Sequence, residues 1–460
     1  MVPSLHFPGG NWSIEFNDDT IGRLYLFRKD SRIAIIGAGI TGLTLAYELC
    51  RRGLKVELFE AGSVVGGELA VVKVGGEPLE RYYHHLFRGD NEIIGLLKEL
   101  GMSSKLEWGK PSMGFFSDGI LYPFSNPVDL VRFGAISISE RLRMGLATKR
   151  LQRISDYREF EDVKAAEYLP GLVGNEAFEI VWKPLLRAKF GDHWRDISMA
   201  WFWGRVHVRF KSRDRLGFRE KLAYIRGSFR QITLALEQYV RERGVLVHLS
   251  SQVERISVEQ NHIKGIRVRG QDLKFDTVIG TVGLPILRGL LGSHTISQDY
   301  GAIAYRGALV LLMSLRESVS PYYWTNVGDV DLPFAGLIDH SGFIDASRYG
   351  GRHPMYVSNY LDPSHRYFDM TSDELLDEYE PHIKNVFPKF DRSLIEEIWV
   401  SADKVAQPVI KAGYQRRIPP YRSTLKGLFV CNTSQIYPED RGTNYNVRIA
   451  RECVQEILNS

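Results

Sequence analysis

The sequence predicts an α/β fold with a parallel sheet, joined to a second, mixed α+β domain. Three observations lead there. An apolar strand, a glycine triad, a helix and a second strand follow one another within residues 33–60. A glycine turn at Gly227, an amphipathic helix pattern after it and strands over residues 245–256 give a further run of strand and helix signals. The length, 460 residues, is more than one hydrophobic core usually serves. With 44% hydrophobic and 25% charged residues the chain is not disordered, collagen-like or a polytopic membrane protein. A net charge of +4 is too slight to indicate nucleic acid. Cys50, Cys431 and Cys453 have no spacing suited to zinc, a redox dithiol or a disulfide framework. No metal is expected, and a reducing cytoplasm is the expected compartment.

Residues 1–31 hold Pro3, Pro8, Gly9, Gly10, Asp18 and Asp19, with no apolar run of signal-peptide length, and are read as an N-terminal extension. The longest apolar run, residues 308–315, is too short to span a bilayer and predicts a buried strand. Ile33 to Ile36 is a buried parallel strand, and Gly37, Gly39 and Gly42 follow it at G-x-G-x-x-G spacing. In this Rossmann-like arrangement the first glycine permits the turn, the second lets a pyrophosphate approach, and the third lets helix pack on strand. Gly37, Ala38, Gly39, Ile40, Thr41 and Gly42 are therefore the expected phosphate contacts, at a helix over residues 40–52 that Gly53 ends. Glu60 closes the strand 56–59, where a carboxylate accepts from a ribose 2'-hydroxyl and repels a 2'-phosphate. FAD or NAD suits this pattern and NADP does not.

Ala61 and then Gly66, Gly67, Glu68 and Leu69 resemble the second glycine pair of a large flavoprotein group. That group contains amine oxidases, protoporphyrinogen oxidases, phytoene desaturases and UDP-galactopyranose mutases. The resemblance runs over roughly residues 33–458. It implies FAD in a discontinuous, Rossmann-like domain of the glutathione-reductase type, over residues 32–104, 223–300 and 421–460. Residues 105–222 and 301–420 would form the substrate-binding domain. Relatives often carry arginine at the fourth position from the start of this glycine pair, whereas here Glu68 and Leu69 follow it. The stretch LERYYHHLF, residues 79–87, resembles the strand that passes the flavin ring, most closely in the mutases, and so puts His84 and His85 near it. Neighbours on a strand face opposite ways, so one imidazole at most would look into the site. The resemblance also implies an adenine contact at Val253, a strand 276–281 ending at Thr281, and a last helix whose start, with Asp440, Gly442, Thr443 and Asn444, faces the flavin pyrimidine edge. No cysteine stands around Ala412, Gly413 and Tyr414, where some amine oxidases tether their flavin, so FAD is expected to be noncovalent.

Lys183, or Lys189 beside it, resembles the lysine near flavin N5 in amine oxidases. His340, with Tyr322, Tyr323, Trp324, Asn326, Tyr360, Gln407 and Tyr414, is the expected pocket wall. Residues 183–230 carry thirteen Lys or Arg against four Asp or Glu, interleaved with Trp194, Trp201, Phe202, Trp203, Phe210 and Phe218. This suits anionic lipid or a phosphorylated substrate, with two ordinary amphipathic helices as the alternative. Residues 130–154 read as a basic helix and give a second indication of contact with the inner membrane face. The resemblance implies an FAD-dependent oxidoreductase moving hydride from a small or lipid-like substrate to flavin N5. A redox-neutral sugar mutase resembling UDP-galactopyranose mutase is the alternative.

Overall fold

The computed structural model describes residues 31–213, 219–294 and 303–459. The expected extension, Ser31 apart, and Phe218 lie outside the described residues. The first expected strand forms as Arg32–Ile36, with Ile33, Ala34 and Ile35 wholly buried. It becomes the centre of a five-stranded parallel sheet in the order Leu246–His248, Lys55–Phe59, Arg32–Ile36, Thr277–Gly280, Leu428–Val430. Strands far apart in sequence thus lie side by side. The helix Ile40–Cys50 is buried along most of its length, because the helix Thr443–Leu458 packs on it from outside. Gly53 adopts φ +77°, the left-handed turn expected there. An antiparallel sheet, Val253–Glu259, His262–Val268 and Gln271–Lys274, stands beside the parallel one.

A seven-stranded sheet runs in the order Ile395–Pro408, Tyr305–Leu315, His353–Leu361, Gly336–Asp339, Trp324–Val327, Met113–Ser117, Ile120–Pro123. Its pairings are antiparallel except for Trp324–Val327 beside Met113–Ser117. The apolar run at residues 308–315 is buried in the second of these strands. Among the described residues no helix is long and apolar enough to cross a membrane.

Two expected elements differ. Residues 79–87 are not one strand: the hairpin Val71–Val74/Glu77–Glu80 ends, five residues run without sheet pairing, and Leu86–Phe87 joins Leu222–Ile225. The chain leaves one sheet to reach another, so alternation along a strand does not govern His84 and His85. Residues 130–154 are not one helix either. Pro127–Arg132 stops, Gly134 lies in the corner, and Ile138–Arg153 begins afresh. In the basic stretch Trp194, Trp201, Phe202 and Trp203 turn inward into a core cluster, which is the amphipathic-helix alternative.

Candidate active site

Each glycine of the triad has its own steric reason. Gly37 has φ +104°, and a Cβ on it would stand 2.6 Å from Thr281 Oγ1. A Cβ on Gly42 would stand 2.0 Å from the Gly37 carbonyl oxygen, so the helix can lie this close to the strand only with glycine there. Gly39 is the opposite case, with nothing within 4 Å of the same point. Open space beside a bare backbone, at the start of a helix with no side-chain cap, is what a phosphate needs. The second glycine pair is clasped to the first. Gly66 N donates to Ala38 O at 2.9 Å, and a Cβ on Gly67, at φ +56°, would sit 3.4 Å from Gly39 Cα. Leu69 is buried behind the pair and Ala61 is exposed.

Glu60 accepts from the Ala38 amide at 2.8 Å and the Gly62 amide at 2.7 Å, one on each oxygen, and each oxygen keeps a lone pair for a ribose hydroxyl. Ser251 N donates to Glu60 O at 2.7 Å, which brings Val253, two residues on, to the same edge. Thr281 spends its hydroxyl on the Ile36 and Gly37 carbonyls and so holds the turn. Ile40 is packed into the core, and Thr41 donates to Asn446 at 3.0 Å, tying the first helix to the last. The last helix, opened by Gly442 and Thr443, also has no side-chain cap. The Asn444 side chain faces another way, accepting from the Glu92 and Ile93 amides. These residues fit a dinucleotide: two uncapped helix starts, two glycine turns and one carboxylate.

A buried charge cluster stands beside the second glycine pair. Asp440 Oδ2 accepts from Lys189 Nζ at 2.7 Å and Arg205 Nη1 at 2.9 Å. Burial works to raise the Asp440 carboxyl, but these two cations hold it down at about 2. Close packing makes the contact, since a Cβ on Gly204 would lie 2.9 Å from Pro438 O. Arg441 ion-pairs with Glu68. Tyr360 lies between, its ring 4.7 Å from Lys189 Nζ and 5.7 Å from Arg441 Cζ. Burial alone would raise its phenol, yet the two cations bring it down to about 8. Tyr83 beside it is pushed well up by burial.

Of the four expected catalytic residues, the three histidines stand in one aromatic neighbourhood and Lys183 lies apart. His84 Nδ1 lies 2.6 Å from Tyr82 O, and its ring meets Phe229. His85 Nδ1 lies 3.2 Å from Tyr323 Oη, and burial, then the Arg209 guanidinium, lowers its imidazole to about 3. His340 is a core residue among Tyr224, Tyr349 and Tyr356, and burial lowers it to about 3 also. Lys183 ion-pairs with Glu179 and lines a separate cavity of about 630 Å³ with Arg187, Asp329 and His382. Of the expected wall residues, Tyr323 and Tyr414 are core, while Trp324 packs edge-on against Tyr83 at 4.8 Å. Sequence reading missed Arg205 and Arg441. The acid at position 68 was the available signal for Arg441; Arg205 had none.

The family described as flavin containing amine oxidoreductase matches residues 40–439. Mitochondrial protoporphyrinogen oxidase of Nicotiana tabacum is 28% identical over 177 residues, 36% of this chain and 34% of that protein. The aligned stretch is thus about a third of that relative's length. Zeta-carotene desaturase of Zea mays is 21% identical over 453 residues, covering 87% of this chain and 78% of the desaturase. Among solved structures, an oxidoreductase from Methanosarcina mazei superposes with a TM-score of 0.72 at 16% identity, over 92% of this chain and 100% of that one. Reduced UDP-galactopyranose mutase gives 0.72 at 15% identity, over 93% and 95%. At such identities the two structures share the fold.

Proposed function

Since the chain belongs to the flavin containing amine oxidoreductase family, we propose that it is an FAD-dependent oxidoreductase taking hydride from a small or lipid-like substrate. The observation that carries this is the double glycine cradle, open at Gly39 and clasped at Gly66 and Gly67. We read its parallel sheet, interleaved from distant strands, as the discontinuous Rossmann-like domain of the glutathione-reductase type. When bound, FAD supplies the hydride-accepting ring, while the protein supplies binding, orientation and charge. The helix starts at Gly39 and Gly442 would offer amide donors to the pyrophosphate and to the flavin pyrimidine edge, and Glu60 would hold the ribose. FAD is noncovalent: Cys431 is buried with its thiol directed to Ile449 O, and the stretch at residues 412–414 has no cysteine.

Tyr360 is the proton-holding group of the site. Once ionised, at and above about pH 8, the phenolate takes a proton at Oη from a substrate O–H or N–H, as hydride removal from the adjoining carbon demands. His85, kept neutral by burial and Arg209, orients rather than titrates. Three cations, Lys189, Arg205 and Arg441, face two carboxylates, Asp440 and Glu68, and the remaining positive charge suits a substrate with an anionic group.

The test is anaerobic absorption titration of the purified yellow protein with amines, prenyl lipids, porphyrinogens and phosphorylated alcohols. Bleaching of the oxidised flavin band by one class is expected and names the bond oxidised. Turnover of a nucleotide sugar by prereduced protein alone, with no bleaching by any of the others, would overturn the reading in favour of the mutase.

A further inference from the structure

Among the described residues, five of the twelve exposed large apolar side chains fall between Val128 and Leu146. Val131, Ile138, Leu142 and Leu146 are 62%, 69%, 62% and 67% exposed, and Val128 is 44% exposed. The helix Ile138–Arg153 explains why they form a surface rather than a scatter. At 3.6 residues per turn, Met144, Ala147 and Leu151 share one face, which is buried. Ile138, Leu142 and Leu146 share the opposite face, which none of the described residues covers. A helix apolar on two sides and covered on one is not explained by the fold's own core.

The charges around that second face are one-sided. Lys149 and Arg153 continue the same sector for two further turns, with Arg150 at its edge and Arg132 on the neighbouring helix Pro127–Arg132, all exposed. None of the four makes an ion pair among the described residues. Nearby carboxylates are turned to backbone amides: Asp129 accepts from Ser125 and Asn126, Glu140 from Ala177, Glu176 from Ser137. Arg141 bonds the Val131 and Ile136 carbonyls, fixing the corner between the two helices so that both present their apolar side chains together.

We propose that residues 127–153 dock the protein on an anionic lipid surface. Ile138, Leu142, Leu146 and Val131 enter the acyl boundary, and Arg132, Lys149, Arg150 and Arg153 reach the head-group phosphates. A second copy of the chain is the poorer occupant. A two-fold contact would bring each patch against itself, setting these unpaired cations against their own likes. An anionic bilayer supplies both what the apolar stripe lacks and what the cations lack.

The test is co-sedimentation of the flavin-loaded protein with vesicles of phosphatidylcholine alone and of phosphatidylcholine with phosphatidylglycerol. Binding is expected only with the anionic lipid, weakening as salt rises. Leu142→Gln/Leu146→Gln should lower the partition coefficient about tenfold or more. Lys149→Gln/Arg150→Gln/Arg153→Gln should do so comparably at low salt. All five side chains are exposed, so the flavin spectrum and melting temperature should stay unchanged, which separates docking from folding. Absence of the wild-type protein from the anionic vesicle pellet would overturn the proposal. So would equal binding by the leucine variant, or a dimer that the leucine changes dissolve.

Discussion

The glycine cradle and the charge cluster lie side by side and are built in opposite ways. The cradle is made of backbone. Its specificity comes from Cβ atoms that are absent at Gly37, Gly39, Gly42, Gly66 and Gly67, within one short stretch of chain. The cluster is made of side chains from five places: Glu68, Lys189, Arg205, Tyr360 and the pair Asp440 and Arg441. A backbone site tolerates almost no added atom and little depends on charge. A side-chain site tolerates changes of shape, but each buried charge in it depends on its partner.

The largest effect should come from the cradle. Gly42→Val puts side-chain atoms into the Gly37 carbonyl, and no folded, yellow protein is expected on purification. Gly39→Ala, three residues away, meets open space. It should leave circular dichroism unchanged while flavin is lost, because the added methyl occupies the phosphate's place. If both variants fail to fold, the opening at Gly39 is not a binding feature.

Next in size is Asp440→Asn, which leaves Lys189 and Arg205 without their shared anion and should cost about 3–5 kcal/mol in chemical denaturation. The pH sense is fixed. The Asp440 carboxyl is lowered from 3.8 to about 2 in the folded state, so its stabilisation is complete above pH 3.8 and lost as pH falls through about 2. The difference between variant and wild type should accordingly be flat at neutral pH and shrink only in strong acid.

The smallest effect, and the most informative for chemistry, belongs to Tyr360→Phe. Flavin reduction by the cognate substrate should slow about 100-fold with stability nearly unchanged. In the wild type the rate should rise through about pH 8 and then level as the phenol ionises, and this limb should vanish in the variant. A limb that persists would assign the proton to another group.

The same contrast explains what could be read in advance. The cradle was legible because a strand, a turn and a helix are local, and glycine spacing reports steric demands directly. The late strands at residues 276–281 and 427–432 were placed by resemblance to the flavoprotein group rather than by any local pattern, because pairing between distant strands leaves no local mark. Lys183 was singled out ahead of Lys189 although the two stand on one short helix, Lys183–Phe190, because only packing decides which faces Asp440. His340 read as a pocket residue because it ends a strand; its neighbours Tyr224, Tyr349 and Tyr356 come from three other segments and enclose it. The two helices at 127–153 were seen as one because their composition is continuous, and only Gly134 hinted at the corner.

The interleaving of strands in the parallel sheet also dictates when the protein can mature. Both glycine turns have been synthesised by residue 67, but the strand Leu428–Val430 and the helix start at Gly442 leave the ribosome only after nearly the whole intervening chain has emerged. Through that interval the nascent cradle lacks the helix that packs on Ile40–Cys50, and its apolar outer face needs shielding. Flavin capture therefore waits for residues 428–458 rather than for the two glycine turns alone.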